Sequence, residues 1–338
     1  MLKRILLISC MIFLVALALP TVRAEGFIVT LDIKYKNNLG DLVSVPGNLT
    51  KNGVPVTDAF VAIEIDNPFN STPFIVRTLT TGSTPAAPWF ADIPQFFTCD
   101  SGGNLKSSFK AGGTFGLKVT VRNNLGNTQH VNLTVTLFYS NMVPFLVYDL
   151  YNADMDPNAI VTTYYYGLGV PFNAVPGQAF AYASALSAWP KNGGYALCPE
   201  NSTSFTITGG SGGGGVMQAS EEFGTLSLPG EFNVTFRTNG YGGYTGNYTA
   251  TATSLYQLSY AWTQEEFNVY LIGDNNGDGK VRVDDVLYEA QHFGLNGPPY
   301  KNPPDPGWDP VCDWTGDGKV RVDDILLVAQ AFGKYGSP

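Results

Sequence analysis

The chain contains 338 residues, of which 44% are hydrophobic and 14% charged, and its formal net charge is −9 at pH 7. An acidic chain of this kind is a poor partner for nucleic acid or anionic membranes, because both repel its excess carboxylates.

Residues 1–24 have the organisation of a secretory signal peptide. Lys3 and Arg4 precede the apolar run Ile5–Leu19, and Val22–Ala24 offers a cleavage site. A retained membrane anchor is the alternative, whereas lipidation of Cys10 is disfavoured because the apolar run continues beyond it. Cleavage would make the net charge about −12. Since no second long apolar run follows, we expect a secreted protein, extracellular or associated with the cell surface, without a membrane span.

Six Asn-x-Ser/Thr sequences suggest that a secreted chain would be glycosylated at some of them, which would place those segments on the surface. They begin at Asn48, Asn70, Asn132, Asn201, Asn233 and Asn247.

Residues 25–272 contain short alternating runs between turn residues, and no pattern there indicates a helix-rich core. The predicted strands are Gly26–Lys36, Ala59–Asp66, Phe74–Thr80, Thr114–Asn123, His130–Ser140, Phe145–Tyr151, Ile160–Leu168, Ala179–Ser187, Thr203–Thr208, Glu231–Thr238, Tyr248–Ser254 and Phe267–Ile272. The fold class is therefore mainly β, and this many strands is typical of two β-sandwiches of the immunoglobulin type. Asn52–Val56 followed by Ala59–Asp66 resembles the start of immunoglobulin-like surface modules, and Gly246–Ala252 resembles their closing strand.

Two arrangements of these sandwiches stay open. In the first, residues 95–208 form a sandwich inserted into another, which residues 25–94 and 217–272 build together. In the second, two sandwiches follow one another with a boundary near residue 130. The glycine-rich run Gly209–Gly215 is a connector in either case.

Three cysteines remain after signal cleavage, and a secreted chain favours a disulfide. We expect a bridge between Cys99 and Cys198, because the first and last strands lie close together in many sandwiches, and this bridge favours the inserted arrangement. Cys312 is expected to be a buried residue or a free thiol, since a thiolate is too soft a ligand for calcium.

Catalytic motifs are missing from the sequence, and we expect the protein not to be an enzyme. The two histidines, His130 and His292, are expected to have surface or packing roles, and the pair Glu221-Glu222 to be a solvated turn. A sugar-stacking platform is an alternative use of exposed rings, although core packing would explain most of them. These aromatic residues are Trp89, Phe90, Trp189, Tyr241, Tyr244 and Trp262.

The sequence GDGKVRVDD occurs twice, at Gly277–Asp285 and at Gly316–Asp324. Each copy lies in a twelve-residue frame with the pattern of an EF-hand calcium loop, which takes ligands from positions 1, 3, 5, 7, 9 and 12 and has Gly at position 6. The predicted ligands of the first loop are Asp274, Asn276, Asp278, the Lys280 carbonyl and Asp285, with a water near Arg282. Those of the second are Asp313, Thr315, Asp317, the Lys319 carbonyl and Asp324. We expect two Ca²⁺ ions, the second bound more weakly because Thr315 is neutral.

Apolar residues follow each loop with the spacing of one helix face. They are Val286, Leu287, Ala290 and Phe293 in the first copy, and Ile325, Leu326, Ala329 and Phe332 in the second. The helices are predicted to end at Gly294 and Gly333. No helix is predicted before either loop.

A calcium loop with only its exiting helix, Asp at position 12 and two copies near the chain end resembles the type I dockerin family. The resemblance covers residues 272–334, within a predicted module at 273–338. It implies two packed calcium units that dock onto a cohesin module of another protein through loop positions 10 and 11. These are Val283-Asp284 and Val322-Asp323, and their identity would allow two docking orientations. Arg282 and Arg321 depart from the family's usual Asn at position 9.

Three functions are compatible with these patterns. The first is a non-catalytic extracellular protein that docks through the dockerin-like module to a cohesin-like partner. The second is a carbohydrate-binding or adhesin subunit of a polysaccharide-degrading assembly. The third is a self-assembling subunit of a surface layer or extracellular filament.

Overall fold

The computed structural model describes residues 26–69, 73–210, 228–238 and 244–336. The predicted signal peptide, Asn70, Glu221-Glu222 and Tyr241 lie outside these ranges, as does most of the glycine-rich run. The described chain is mainly β, with two α-helices near its end. The strands are β1 Phe27–Leu31, β2 Lys36–Asn38, β3 Leu42–Lys51, β4 Val54–Pro55, β5 Phe60–Asp66, β6 Pro73–Thr80, β7 Ala91–Cys99, β8 Ser108–Lys110, β9 Thr114–Asn123, β10 Gln129–Phe138, β11 Pro144–Met155, β12 Ile160–Gly169, β13 Gly177–Leu186, β14 Asn201–Thr208, β15 Glu231–Arg237, β16 Gly246–Tyr256 and β17 Ser259–Tyr270. The helices are α1 Val283–His292 and α2 Val322–Ala331, and short 3₁₀ turns lie at Pro190–Asn192 and Pro310–Cys312. Neither helix is long and apolar enough to cross a membrane.

Strands from the beginning and the end of the β region pair with one another: β3 pairs with β15, and β2 pairs with β17. One sheet has the order β1-β3-β15, with β4 beside β3, and a second has the order β2-β17-β16-β5-β6. In β3, Val43, Val45 and Leu49 are buried while Ser44 and Asn48 are exposed, as strand alternation requires. Side chains from both sheets form one core. We call these strands, β1–β6 and β15–β17, the split unit.

The intervening strands form a second pair of sheets. Their orders are β11-β10-β13-β14-β8 and β12-β9-β7, and apolar side chains from both fill a separate core. We call β7–β14 the continuous unit. Strand β10 of this unit begins at Gln129. The boundary near residue 130, which belongs to the arrangement of two successive sandwiches, would therefore fall at the start of a strand. The boundary predicted between residues 94 and 95 falls inside β7.

The predicted bridge between Cys99 and Cys198 is wrong: both are free and buried. Cys99 ends β7, whereas Leu197, next to Cys198, accepts hydrogen bonds from Phe90 and Ala91 at the opposite end of that strand. The length of β7 therefore separates the cysteines by about 20 Å. A disulfide needs Cα atoms within about 7 Å. Cys312 is also free and buried.

One predicted glycosylation site does not lie on the surface. Asn132 is 1% exposed, in the middle of β10, so a glycan cannot be attached there in the folded chain. Asn48 and Asn247 are exposed, whereas Asn201 and Asn233 are half-buried.

Candidate metal-binding loops

The two loops and their helices follow directly from the split unit. Tyr270 ends β17, and the Leu271 carbonyl accepts a hydrogen bond from the Asp274 amide. Leu271, Val281, Val328 and Ala331 form a small core, against which Leu39 of the split unit packs. Lys36 of β2 lies 4.7 Å above the ring of Trp314. The loops are thus packed against the end of the split unit.

The first loop closes on two aspartates. Asp274 accepts hydrogen bonds from the amides of Asp278 (3.0 Å) and Gly279 (2.8 Å). Asp285, which is fully buried, accepts them from Asn275 (2.9 Å), Asn276 (3.3 Å) and Arg282 (2.8 Å). The side chains at positions 1 and 12 of the frame therefore both bind backbone amides within the loop. Gly279 at position 6 has a φ of +78°, a left-handed conformation in which glycine is favoured.

The second loop repeats this pattern. Asp313 accepts from Asp317 (3.1 Å) and Gly318 (2.8 Å), and the buried Asp324 accepts from Thr315 (2.9 Å) and Arg321 (2.8 Å). The Thr315 hydroxyl also donates to Asp313 at 3.4 Å. The two loops thus have matching backbone hydrogen bonds despite the change of residue at position 3.

In both loops, the acidic side chain at position 5 is partly exposed and lies near an arginine. Asp278 and Asp317 are each 41% exposed in their side chains and lie 3.9 and 3.7 Å from Arg282 and Arg321. Within the described ranges, no group of three or more His, Cys, Asp or Glu side chains has the arrangement of a metal site. The predicted set does not rest on such side chains alone, because an EF-hand loop also uses a carbonyl, an amide oxygen and water. Its donors are all hard oxygens, and the buried Asp285 and Asp324 carry negative charge that a cation would balance, so the residues fit Ca²⁺.

A hydrogen-bonded chain joins the two halves, and sequence reasoning missed it. The Trp314 indole donates to the Asn275 amide oxygen at 2.9 Å, and the Asn275 amide nitrogen donates to Glu289 of α1 at 2.8 Å. Burial raises the pKa of Glu289 to about 7. Asn275 and Trp314 both occupy position 2 of their frames. The two copies differ at this position, and that difference is the sequence signal that could have pointed to the contact.

Both helices form where the sequence predicts, but their apolar faces are largely exposed. The buried residues of α1 are Asp285 and Glu289, and those of α2 are Asp324, Val328 and Ala331. Each loop–helix unit instead has three exposed apolar side chains at matching positions, two on the helix and one just beyond its end, which we call its strip. The strips consist of Val283, Leu287 and Phe293, and of Val322, Leu326 and Phe332, with exposed fractions of 53–70%.

The predicted docking residues border these strips. Val283 and Val322 are part of them, and Asp284 and Asp323 are exposed beside them. Asp284 accepts a hydrogen bond from the Asn276 side chain at 3.1 Å, which ties this docking position to the first loop.

The histidines take part in local contacts. His130 lies on the surface between Asp154 (2.8 Å) and Asn152 (2.9 Å), and His292 bonds to the Tyr288 carbonyl (2.8 Å). Among the aromatic residues named above that the structure describes, Trp89 and Trp189 pack against different apolar clusters. Tyr244 stacks on Phe69.

No family model and no curated protein matches the chain. Among solved structures, the C-terminal domain of wzt is 10% identical with a TM-score of 0.31, covering 36% of this chain and 75% of that one. The DNA glycosylase AlkC of Pseudomonas fluorescens is 12% identical (TM-score 0.28; 36% of this chain, 31% of that one). The β-glucosidase EmGH1 of Erythrobacter marinus is 12% identical (TM-score 0.26; 42% and 18%). Similarities this distant carry no argument about fold, activity or ligand.

Proposed function

We propose that the protein is a secreted, non-catalytic, calcium-binding protein whose C-terminal loop–helix pair docks onto a cohesin-like module of another protein. The observation that carries this proposal is the pair of matching apolar strips on α1 and α2. Monomeric proteins seldom expose large contiguous apolar patches, and such patches often mark protein interaction sites. Here the exposed side chains recur at equivalent positions of two repeated units.

In this proposal, calcium orders the two loops and the starts of their helices. The ion would bind the side-chain oxygens of Asp274, Asn276, Asp278 and Asp285 and the Lys280 carbonyl in the first loop, and their counterparts in the second. Because Asp285 and Asp324 also bind the amides that start α1 and α2, the state of each loop is coupled to the start of its helix. Calcium would thereby hold Val283 and Val322 in the orientation needed for docking.

We propose further that the split and continuous units are two immunoglobulin-like domains, with the second inserted into the first. The separate cores and the strand pairing support this division. A mainly β body would then serve as a spacer or display region for the docking module.

Docking is tested by binding of the full chain to a panel of purified cohesin modules, with Ca²⁺ and with a chelator. We expect calcium-dependent binding that Leu287→Glu together with Leu326→Glu abolishes. Leu258→Glu is the matched control, because Leu258 is 92% exposed in the turn between β16 and β17. Calcium-driven self-association without cohesin binding would support the filament function instead and contradict docking.

A further inference from the structure

The split and continuous units meet through the outer faces of two sheets. In β10, Val131, Leu133 and Val135 belong to the core of the continuous unit, so the intervening side chains point out of that unit. Those side chains are Asn132, Thr134 and Thr136, all of them polar and buried. When the side chains that point away from the core of a sheet are polar, that face of the sheet is normally in contact with water.

The split unit presents a similar face. Ala250 and Ala252 of β16 lie in its core, and the intervening Thr251 and Thr253 point outward but are buried. Glu64 of β5 pairs with Thr251 in register and is 0% exposed. We call the contact between these two outer faces the seam.

Some polar side chains in the seam have protein partners and others do not: Thr136 donates to the Val76 carbonyl at 2.7 Å and Thr253 donates to the Gly194 carbonyl at 2.5 Å. Besides Glu64, whose Oε1 lies 3.3 Å from the Lys191 ammonium, five described residues of the seam have a buried side-chain nitrogen or oxygen without a hydrogen bond: Thr78, Asn132, Thr134, Ser184 and Thr251. Buried polar groups are almost always hydrogen-bonded, and buried water supplies the bonds that protein groups do not. Polar walls on both sides give such water the roughly two to four partners that it needs.

The seam has a polar end and an apolar end. In the register of β10 and β13, Phe138 pairs with Phe180, and Phe138 and the nearby Tyr182 pack into the core of the split unit. Lys191 follows the other end of β13, where its ammonium group lies 3.3 Å from Glu64 and 3.1 Å from Asp66. The apolar cluster between these ends is small, with Ala62, Val76, Leu186 and Ala196 as its buried members.

We infer that the seam is a hydrated hinge, which opens from the Lys191–Glu64 end about the Phe138–Tyr182 end while both units stay folded. Opening the polar end returns charged and hydroxyl groups to water, whereas opening either core would expose apolar side chains. The seam is therefore the region of lower local stability. This inference depends neither on calcium nor on the proposed docking.

The hinge is tested by thiol labelling of the full chain. Ser184 is fully buried in the seam, so Ser184→Cys places a thiol there with little change of volume. Native Cys198, fully buried and part of the core of the continuous unit, is the internal reference. With iodoacetamide under native conditions and mass spectrometry of the peptides, we expect the thiol at position 184 to react at least about tenfold faster than Cys198.

Two further variants control for disruption of the fold. Ala183→Cys points into the core one residue away and should react as slowly as Cys198. Thr251→Cys reports on the opposite wall of the seam and should react as fast as the thiol at position 184, which keeps the test valid if the Ser184 variant does not fold. Equal rates for seam and core thiols would show that the units open only by unfolding and would overturn the hinge.

Discussion

Arg77 of β6 and Glu200, just before β14, form a two-point ion pair between the split and continuous units. Arg77 Nε donates to Glu200 Oε2 at 2.8 Å and Nη2 donates to Oε1 at 2.5 Å. The guanidinium is almost completely buried and lies 3.6 Å from the centre of the Tyr182 ring. Glu200 also accepts a hydrogen bond from the Thr78 amide at 3.1 Å. This pair fixes β6 on the continuous unit close to the apolar end of the seam.

Removing one partner of this pair should destabilise the protein strongly. Glu200→Ala leaves the buried Arg77 charge without its partner, and we expect the free energy of unfolding to fall by about 3–5 kcal/mol, measured by urea denaturation. Asp92→Ala is the control, because its pair with Arg122 is partly exposed at 3.5 Å and should contribute less than about 1 kcal/mol. Similar losses in the two variants would contradict a structural role for the buried pair.

Glu64 should make stability depend on pH. Burial raises the pKa of Glu64 from 4.5 to about 7, and the nearby Asp66 carboxylate adds to this, against the opposing effect of Lys191. The folded chain therefore holds a proton that the unfolded chain loses between about pH 4.5 and 7. The stability that this group contributes is present at acid pH and is lost as pH rises through about 7. Urea denaturation from pH 4.5 to 8 should show a smaller decline for Glu64→Gln than for the unchanged chain; identical slopes would exclude Glu64 as the source.

The expected difference in Ca²⁺ affinity between the two loops should depend on the residue at position 3 of the frame. Thr315 occupies the place of Asn276, and its hydroxyl is a weaker substitute for the amide oxygen. We expect Thr315→Asn to strengthen Ca²⁺ binding at the second loop several-fold, by calorimetric titration of the full chain. Asn276→Thr should weaken the first loop by a comparable factor. Unchanged affinities in both variants would show that position 3 supplies no ligand.

Chelation should loosen the loop–helix pair more than the β units. The apolar core of the loop–helix pair is small, so most of the stability of this pair would come from the bound ions. With a chelator, amide hydrogen exchange in residues 274–336 should accelerate and the helical circular dichroism signal should fall, while β9 and β10 stay protected. Contacts of Lys36 and Leu39 with the loop–helix pair predict a smaller acceleration in β2. An unchanged helical signal would contradict calcium-dependent folding.

The sequence predicts the regular strands well and the interrupted ones poorly. The prediction Thr114–Asn123 coincides with β9, because its alternation is unbroken. Strand β3 was missed since Pro46 and Gly47 interrupt the pattern, and β7 was missed since it contains Pro94 beside an irregularity in register. Neither interruption prevents pairing within the sheet, which local patterns cannot reveal.

The loops and helices could be predicted because their spacing is local, but burial could not. Leu287 and Phe293 have the spacing of a buried face, yet the buried residues of α1 are Asp285 and Glu289. Both carboxyl groups accept hydrogen bonds from Asn275 in the preceding loop, which the apolar spacing of the helix does not reveal. The failed Cys99–Cys198 bridge has a similar cause. Tertiary contacts decide which end of β7 lies near Cys198, and the order of the strands along the chain does not reveal it.

Calcium titration of the full chain, with ion content and heat measured together, tests the central claim most directly. We predict two Ca²⁺ ions per chain, one of which is lost in Asp274→Ala and the other in Asp313→Ala, while the double variant binds none. A chain that binds no Ca²⁺, or that still binds two ions in the double variant, would contradict the assignment of these loops as calcium sites.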